Sequence, residues 1–94
     1  EERSTAPKVF ALEQNYPNPF NPTTTIAYAV PKASDIRLAV YDMMGREVAV
    51  LAEGRKAAGF YTVEFDGKNL ASGIYFYRLK AGSAVLKQKM VMLK

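Results

Sequence analysis

The polar chemistry open to this chain is narrow. It contains no histidine and no cysteine, so its four serines, Ser4, Ser34, Ser72 and Ser83, have no imidazole to activate them, and disulfides and thiolate metal sites are excluded. A lysine serves as a base only in a desolvated pocket, and the lysines here fall among polar neighbours. Asp35, Asp42 and Asp66 sit in turn or strand-end contexts, where aspartate is favoured for conformational reasons. A carboxylate pair for glycoside hydrolysis would also need a cleft, for which a 94-residue sandwich has little room. Asp66 and Asn69 in "DGKNLASG" suit a calcium cage in type, but the carboxylate cluster such a cage needs is missing, and a turn is the stronger reading. The glycines are scattered singly, so no loop cradles phosphate. "YFY" at 75–77 has the aromatic look of an RNA-binding strand, yet that fold needs two helices behind its sheet. The sequence predicts a protein that is not an enzyme, with no cofactor, no metal and no nucleic-acid partner.

One stretch stands apart. "NYPNPFNPTTTIAY" packs three prolines and three asparagines into residues 15–22 and then turns into an alternating run. Pro17, Pro19 and Pro22 have no N–H to donate and cannot sit in a central strand. Each pushes its predecessor, Tyr16, Asn18 and Asn21, toward extended geometry. The expectation is a stiff, kinked rod with few internal hydrogen bonds. Asn18 and Asn21 would close onto nearby backbone, and Tyr16 and Phe20 would plant as two pegs on one end of the fold. Such a segment is either a bracket between strands or a preorganised docking feature.

The elements that must hold this stretch are strands. Period-two alternation places Phe10 with Leu12, Ile26 with Tyr28 and Val30, and Ile36 with Leu38 and Val40. It likewise groups Val48 with Val50, Tyr61 with Val63 and Phe65, and Leu86 with Met90 and Met92. "GIYFYRLKAG" is apolar on both sides at first, as a central strand is. "YDMMGRE" opens on Asp42 and reaches Gly45 three residues later, the chemistry of a type I turn closed by a glycine of left-handed conformation. A single helical turn around 52–57 is compatible with composition, although Gly54 and Gly59 bracket it too closely for a full helix. Seven short strands at about ten-residue spacing predict an all-β, immunoglobulin-like antiparallel sandwich. Residues 8–94 would form one domain, with residues 1–7 as linker from a longer parent. No segment is long or apolar enough to span a membrane as a helix. The net charge of +4 is mild, with lysines gathering late at Lys80, Lys87, Lys89 and Lys94, the pattern of a solvated strand edge.

Four blocks in order, "LEQNYPNPFNPTTTIAY", "VYDMMGREV", "LASGIYFYRLKAG" and "KQKMVMLK", resemble the type A C-terminal sorting domain of the type IX secretion system. The likeness covers roughly residues 10–94. It implies a secretion signal at the end of a large secreted enzyme or adhesin, met by shuttle components after transport to the periplasm and carried through an outer-membrane translocon. A cell-surface signal peptidase of sortase type would then usually remove it, with the cargo anchored to the surface or released. By motif match, recognition would rest on Tyr16, Pro17, Asn18, Pro19 and Phe20, on Asp42 with Gly45, on Gly73, Ile74 and Tyr75, and on Lys89, Met90, Val91, Met92, Leu93 and Lys94. Cleavage would fall within residues 1–15. The sequence departs from the family pattern at Phe60, where histidine is common, and at Phe65, where tryptophan is common.

Two other functions fit parts of this pattern. One is a non-catalytic immunoglobulin-like spacer, which would tolerate residues beyond Lys94 as a sorting signal would not. The other is a carbohydrate-binding module, which would need an exposed aromatic platform that the alternation buries.

Overall fold

A computed structural model describes residues 6–94. Seven strands follow in chain order: β1 (Ala11–Leu12), β2 (Thr23–Val30), β3 (Ser34–Tyr41), β4 (Glu47–Lys56), β5 (Gly59–Asp66), β6 (Gly73–Ala81) and β7 (Ala84–Met92). They form two antiparallel sheets, ordered β1-β2-β5 and β4-β3-β6-β7. The predicted immunoglobulin-like sandwich is borne out. Hairpins join β3 to β4 and β6 to β7, while the chain changes sheets after β2, β4 and β5.

The core lies where the two alternating faces meet. Ile26, Tyr28, Val30 and Phe65 enter from the three-stranded sheet. Ile36, Leu38, Val40, Tyr75, Tyr77, Leu79, Met90 and Met92 enter from the four-stranded one. Burying a side chain of this size contributes about 1.5–3 kcal/mol. β6 lies between β3 and β7 and sends Tyr75, Tyr77 and Leu79 into the core, while Ile74 and Phe76 on its other face are partly buried.

Strand β4 departs from simple alternation. Its register against β3 jumps from Leu38↔Ala52 to Ala39↔Val50, and from Val40↔Ala49 to Tyr41↔Glu47, so Leu51 and Val48 are extra residues. Each bulge resets which side chains face inward. Val48, Ala49, Leu51 and Ala52 therefore pack against the core, while Val50, expected to face the same way as Val48, is 41% exposed. No helical turn forms at 52–57, because β4 continues through Lys56 and its backbone groups pair with β3 instead.

The short β1 is tied to β7 across the open side of the sandwich. Gln88 Nε2 donates to the Leu12 carbonyl at 2.8 Å, and the Tyr77 hydroxyl donates to the Glu13 carbonyl at 2.6 Å. Burial pushes the Tyr77 phenol up to about 12, partly offset by the Asn15 backbone. The unfolded phenol ionises near 10. The folded state therefore retains a proton that the unfolded state loses between pH 10 and 12, and stability falls as pH rises through that window. A loss of about 2–3 kcal/mol is expected there. Tyr77→Phe should remove this share of the alkaline loss, leaving that of Tyr28, whose phenol burial also pushes up, while costing about 1–2 kcal/mol at neutral pH by orphaning the Glu13 carbonyl. Denaturant titrations of both proteins at pH 7 and pH 11.5 check the pair of effects.

Candidate functional site

The proline-rich opener lies along the sandwich end where β2 and β6 begin and β3, β5 and β7 finish. It is anchored by hydrogen bonds rather than by stiffness alone. Tyr16 and Thr25 exchange backbone bonds at 2.9 Å in each direction. Asn15, buried in spite of its polarity, donates to Thr24 Oγ1 at 3.0 Å and to the Pro17 carbonyl at 3.1 Å, and its side-chain Oδ1 accepts from Gln14 Nε2 at 2.6 Å. Thr24 Oγ1 completes the knot by donating to the Pro17 carbonyl at 2.8 Å. Within residues 15–22 the one such bond is Asn15 to Pro17, so the internal bonds are few as expected, and the anchoring comes from β2. The peptide bonds preceding Pro17, Pro19 and Pro22 are cis.

Only one of the two expected pegs enters the fold. Phe20 is 2% exposed and meets Phe65 edge-on, with ring centroids 6.0 Å apart. Tyr16 stands 80% exposed. The prolines break the local period, so a four-residue spacing here does not bring the two rings to one side. Asn18 also departs from expectation: its Oδ1 accepts from the Val91 N–H at 3.0 Å, a partner at the far end of the chain rather than a neighbour.

Phe20 joins the opener to the closing strand. Its N–H donates to the Val91 carbonyl at 3.0 Å, and its carbonyl accepts from Leu93 N–H at 2.9 Å, a parallel bridge opposite Met92. Gln14 Nε2 reaches the Lys89 carbonyl at 2.7 Å. The outer edge of β7 is thus occupied from Lys89 to Leu93 by the protein's own residues 14–20. Met90 and Met92 point into the core, while Lys89, Leu93 and Lys94 are exposed and Val91 is half-buried. Lys94 is fixed through its N–H to Ser72 Oγ at 2.9 Å and through Nζ to the Lys68 carbonyl at 2.7 Å.

The remaining motif residues gather at the same end. Gly45 N–H donates to the Asp42 carbonyl at 3.0 Å, closing the expected turn, and Gly45 takes φ +82°, a conformation glycine adopts without a Cβ penalty. Asp42 Oδ1 accepts from the Met44 and Arg46 N–H groups at 2.9 and 3.0 Å, and Oδ2 pairs with Arg46 Nε at 2.9 Å. Asp42 and Met44 line a shallow depression with Gly73, Ile74 and Tyr75. The Tyr75 hydroxyl donates to the Ala71 carbonyl at 2.7 Å, which fixes the loop entering β6. Four blocks separated by up to seventy residues are therefore brought to one end of the molecule. Asn15, Thr24 and Gly67 belong to this end as well. The inward phase shared by Thr24, Ile26 and Tyr28 marks Thr24 in the sequence as a buried hydroxyl in need of a partner. Gly67 carries no such mark: a Cβ there would stand 2.5 Å from Met92 Sδ.

Hydrogen bonding from the Arg46 backbone, with help from its guanidinium and the Met44 N–H and against some burial, holds the Asp42 carboxyl below its ordinary range. A lowered folded pKa means that the turn's contribution is complete above the unfolded carboxylate value and is lost as pH falls through the folded one. The Met44 and Arg46 amide resonances should therefore titrate together below about pH 4. In Asp42→Ala the Met44 and Arg46 amides should lose their protection against exchange, with no carboxylate titration left to report. No three of His, Cys, Asp and Glu cluster as metal ligands among the described residues.

No curated protein and no solved structure matches the chain. A family model described as the secretion system C-terminal sorting domain matches residues 14–93, a span that takes in the anchored opener, the aspartate turn, the start of β6 and the whole of β7. The chain belongs to the family of type IX secretion system C-terminal sorting domains.

Proposed function

We propose that the end of the sandwich built from Tyr16–Phe20, Asp42–Arg46, Gly73–Tyr75 and Lys89–Lys94 is the surface that shuttle and translocon components read. The observation supporting this reading is the Phe20 bridge to Val91 and Leu93, which makes one surface of the opener and the closing strand. A sorting signal for the type IX system needs no reactive groups of its own, in keeping with a family that is not catalytic. The route runs through the periplasm to the cell surface or beyond. A surface signal peptidase of sortase type cuts within residues 1–15, and residues 1–7 are the tail of a linker; residues 1–5 lie outside the described residues.

The test is a periplasmic reporter fused ahead of the chain in a host with and without the translocon. Surface reporter in the competent strain alone is the expected result, and equal delivery in both strains would refute it. Within the competent strain, Tyr16→Ala separates recognition from folding, since that ring is almost wholly exposed. Its melting temperature should move by no more than a few degrees, while surface delivery should drop several-fold. N-terminal sequencing of the released domain locates the cut.

A further inference from the structure

Charge is unevenly placed along the chain. Through Asp66 there are seven Lys and Arg against nine Asp and Glu; after it come six cations and no acid. In the first stretch each described arginine meets an acid, while Lys8, Lys32 and Lys56 do not. Arg37 holds both oxygens of Glu47, at 2.6 and 2.9 Å, and reaches Glu53 at 3.2 Å; Arg46 is paired with Asp42, and Arg55 with Asp35. Among the described residues, Arg78, Lys80, Lys87 and Lys89 make no such pair. The Glu47 carboxyl is held low chiefly by Arg37, with Arg78 adding only its field.

These four cations share the outward face of β6 and β7. Arg78 lies opposite Lys87 in the register, and Lys80 lies opposite Arg37 on the other side. Like charges directly opposite one another on a sheet are destabilising. Here the cations lean onto rings instead. Arg78 covers Tyr41 with its carbon 4.9 Å from the centroid and donates to the Tyr41 hydroxyl at 2.8 Å, while Lys87 lies 5.9 Å over Phe76. A concavity of about 420 Å³ opens between them, lined also by Val85 and Met43, both more than half exposed. Its one acid is Asp42, whose oxygens are already taken by Met44 and Arg46.

The neighbouring edge is open. Val91 and Leu93 turn their backbone groups outward to Phe20, so by the period of two Val85, Lys87 and Lys89 turn theirs outward too. The Lys89 carbonyl is taken by Gln14. The outward groups of Val85 and Lys87 and the Lys89 N–H meet no partner among the described residues. Edge lysines alone would serve to keep other strands away. Arg78 and Lys80, however, stand on β6, which has neighbours on both sides and no edge to guard.

We propose that this edge and face receive an extended acidic polypeptide from a partner protein. The partner pairs with β7 from Val85 to the Lys89 N–H and sets carboxylates at alternate positions beside Lys87 and Lys89, with Arg78 adding its charge from the next strand. A strand is favoured over other anionic surfaces because the site combines unmatched cations with unpaired N–H and C=O groups at strand spacing. A second copy paired β7 to β7 would oppose lysine with lysine.

The proposal goes beyond the sorting reading and is tested without any export. The purified full chain is titrated with a ten-residue peptide alternating Glu and Thr, with its Gln counterpart, and with an equally charged peptide carrying Pro in place of Thr. The Glu–Thr peptide should bind with an affinity that falls as salt rises, shifting the Val85, Lys87 and Lys89 amides. The Gln and Pro peptides should each bind about tenfold weaker or less. Lys87→Gln should weaken binding to a similar degree with its melting temperature unchanged, and Arg78→Gln supplies a second variant away from the edge. Equal affinity for the Gln peptide, or no binding by the Glu–Thr peptide, would overturn the proposal. So would capture of anionic lipid vesicles in its place, or self-association of the chain alone.

Discussion

Phe20→Ala lowers the stability of this domain by about 3–5 kcal/mol, the usual cost of emptying a buried phenylalanine site. The ring is 2% exposed, packs edge-on against Phe65, and lies where opener and closing strand exchange backbone hydrogen bonds. The cavity left cannot collapse easily, because residues on both sides are held by the ladder of β7 and by the Asn15–Thr24–Pro17 knot. Domains of this size are stable by about 5–15 kcal/mol, so the substitution takes a large share of the total. At roughly 4–8 °C per kcal/mol the melting midpoint should fall by about 12–40 °C. Circular dichroism melts of the variant beside Tyr16→Ala measure the contrast. A midpoint lowered by less than about 5 °C would show that Phe20 is not a core residue.

The same pair of aromatics shows how far the sequence can be read. Strands with clean alternation were legible because one side of each period is apolar: Ile36, Leu38 and Val40 on β3, or Tyr61, Val63 and Phe65 on β5. The Asp42–Gly45 turn was legible because its residue types answer a local backbone demand. Phe20 and Tyr16 were not separable, since proline removes the regular period from which a facing direction is inferred. β4 defeats the reading in a different way: its two bulges leave no trace in hydrophobic pattern, and so Val50 is misassigned. Asn18 is a third case. Its short side chain suits a local turn in type, and its actual partner at Val91 is set by topology. The convergence of four blocks at one end is likewise a property of strand order. The sequence marks the residues of the site, while the crossing connections after β2, β4 and β5 bring them together.

That convergence changes what a C-terminal deletion can mean. Removing Lys89–Lys94 should do more than erase a signal. It takes away Met90 and Met92, both fully buried, each of whose truncation alone costs about 2–5 kcal/mol. It also removes the β6–β7 pairs from Phe76↔Lys89 to Gly73↔Met92 and leaves Phe20 without its backbone partners at Val91 and Leu93. Those losses together reach or exceed the whole stability of such a domain. The shortened chain is expected to show no cooperative melt and to be degraded rapidly, so its failure to reach the surface would report unfolding as readily as a missing address. Substitution of the exposed side chains alone avoids this. Lys89→Gln with Leu93→Ser keeps Met90, Met92 and the Phe20 bridge, and should move the melting midpoint by no more than a few degrees. Lost surface delivery in that variant, with a melt like the parent's, would assign recognition to the outward residues of the closing strand. Normal delivery would place recognition elsewhere on the same end. A cooperative melt of the truncated chain within about 5 °C of the parent's would contradict the account of the core itself.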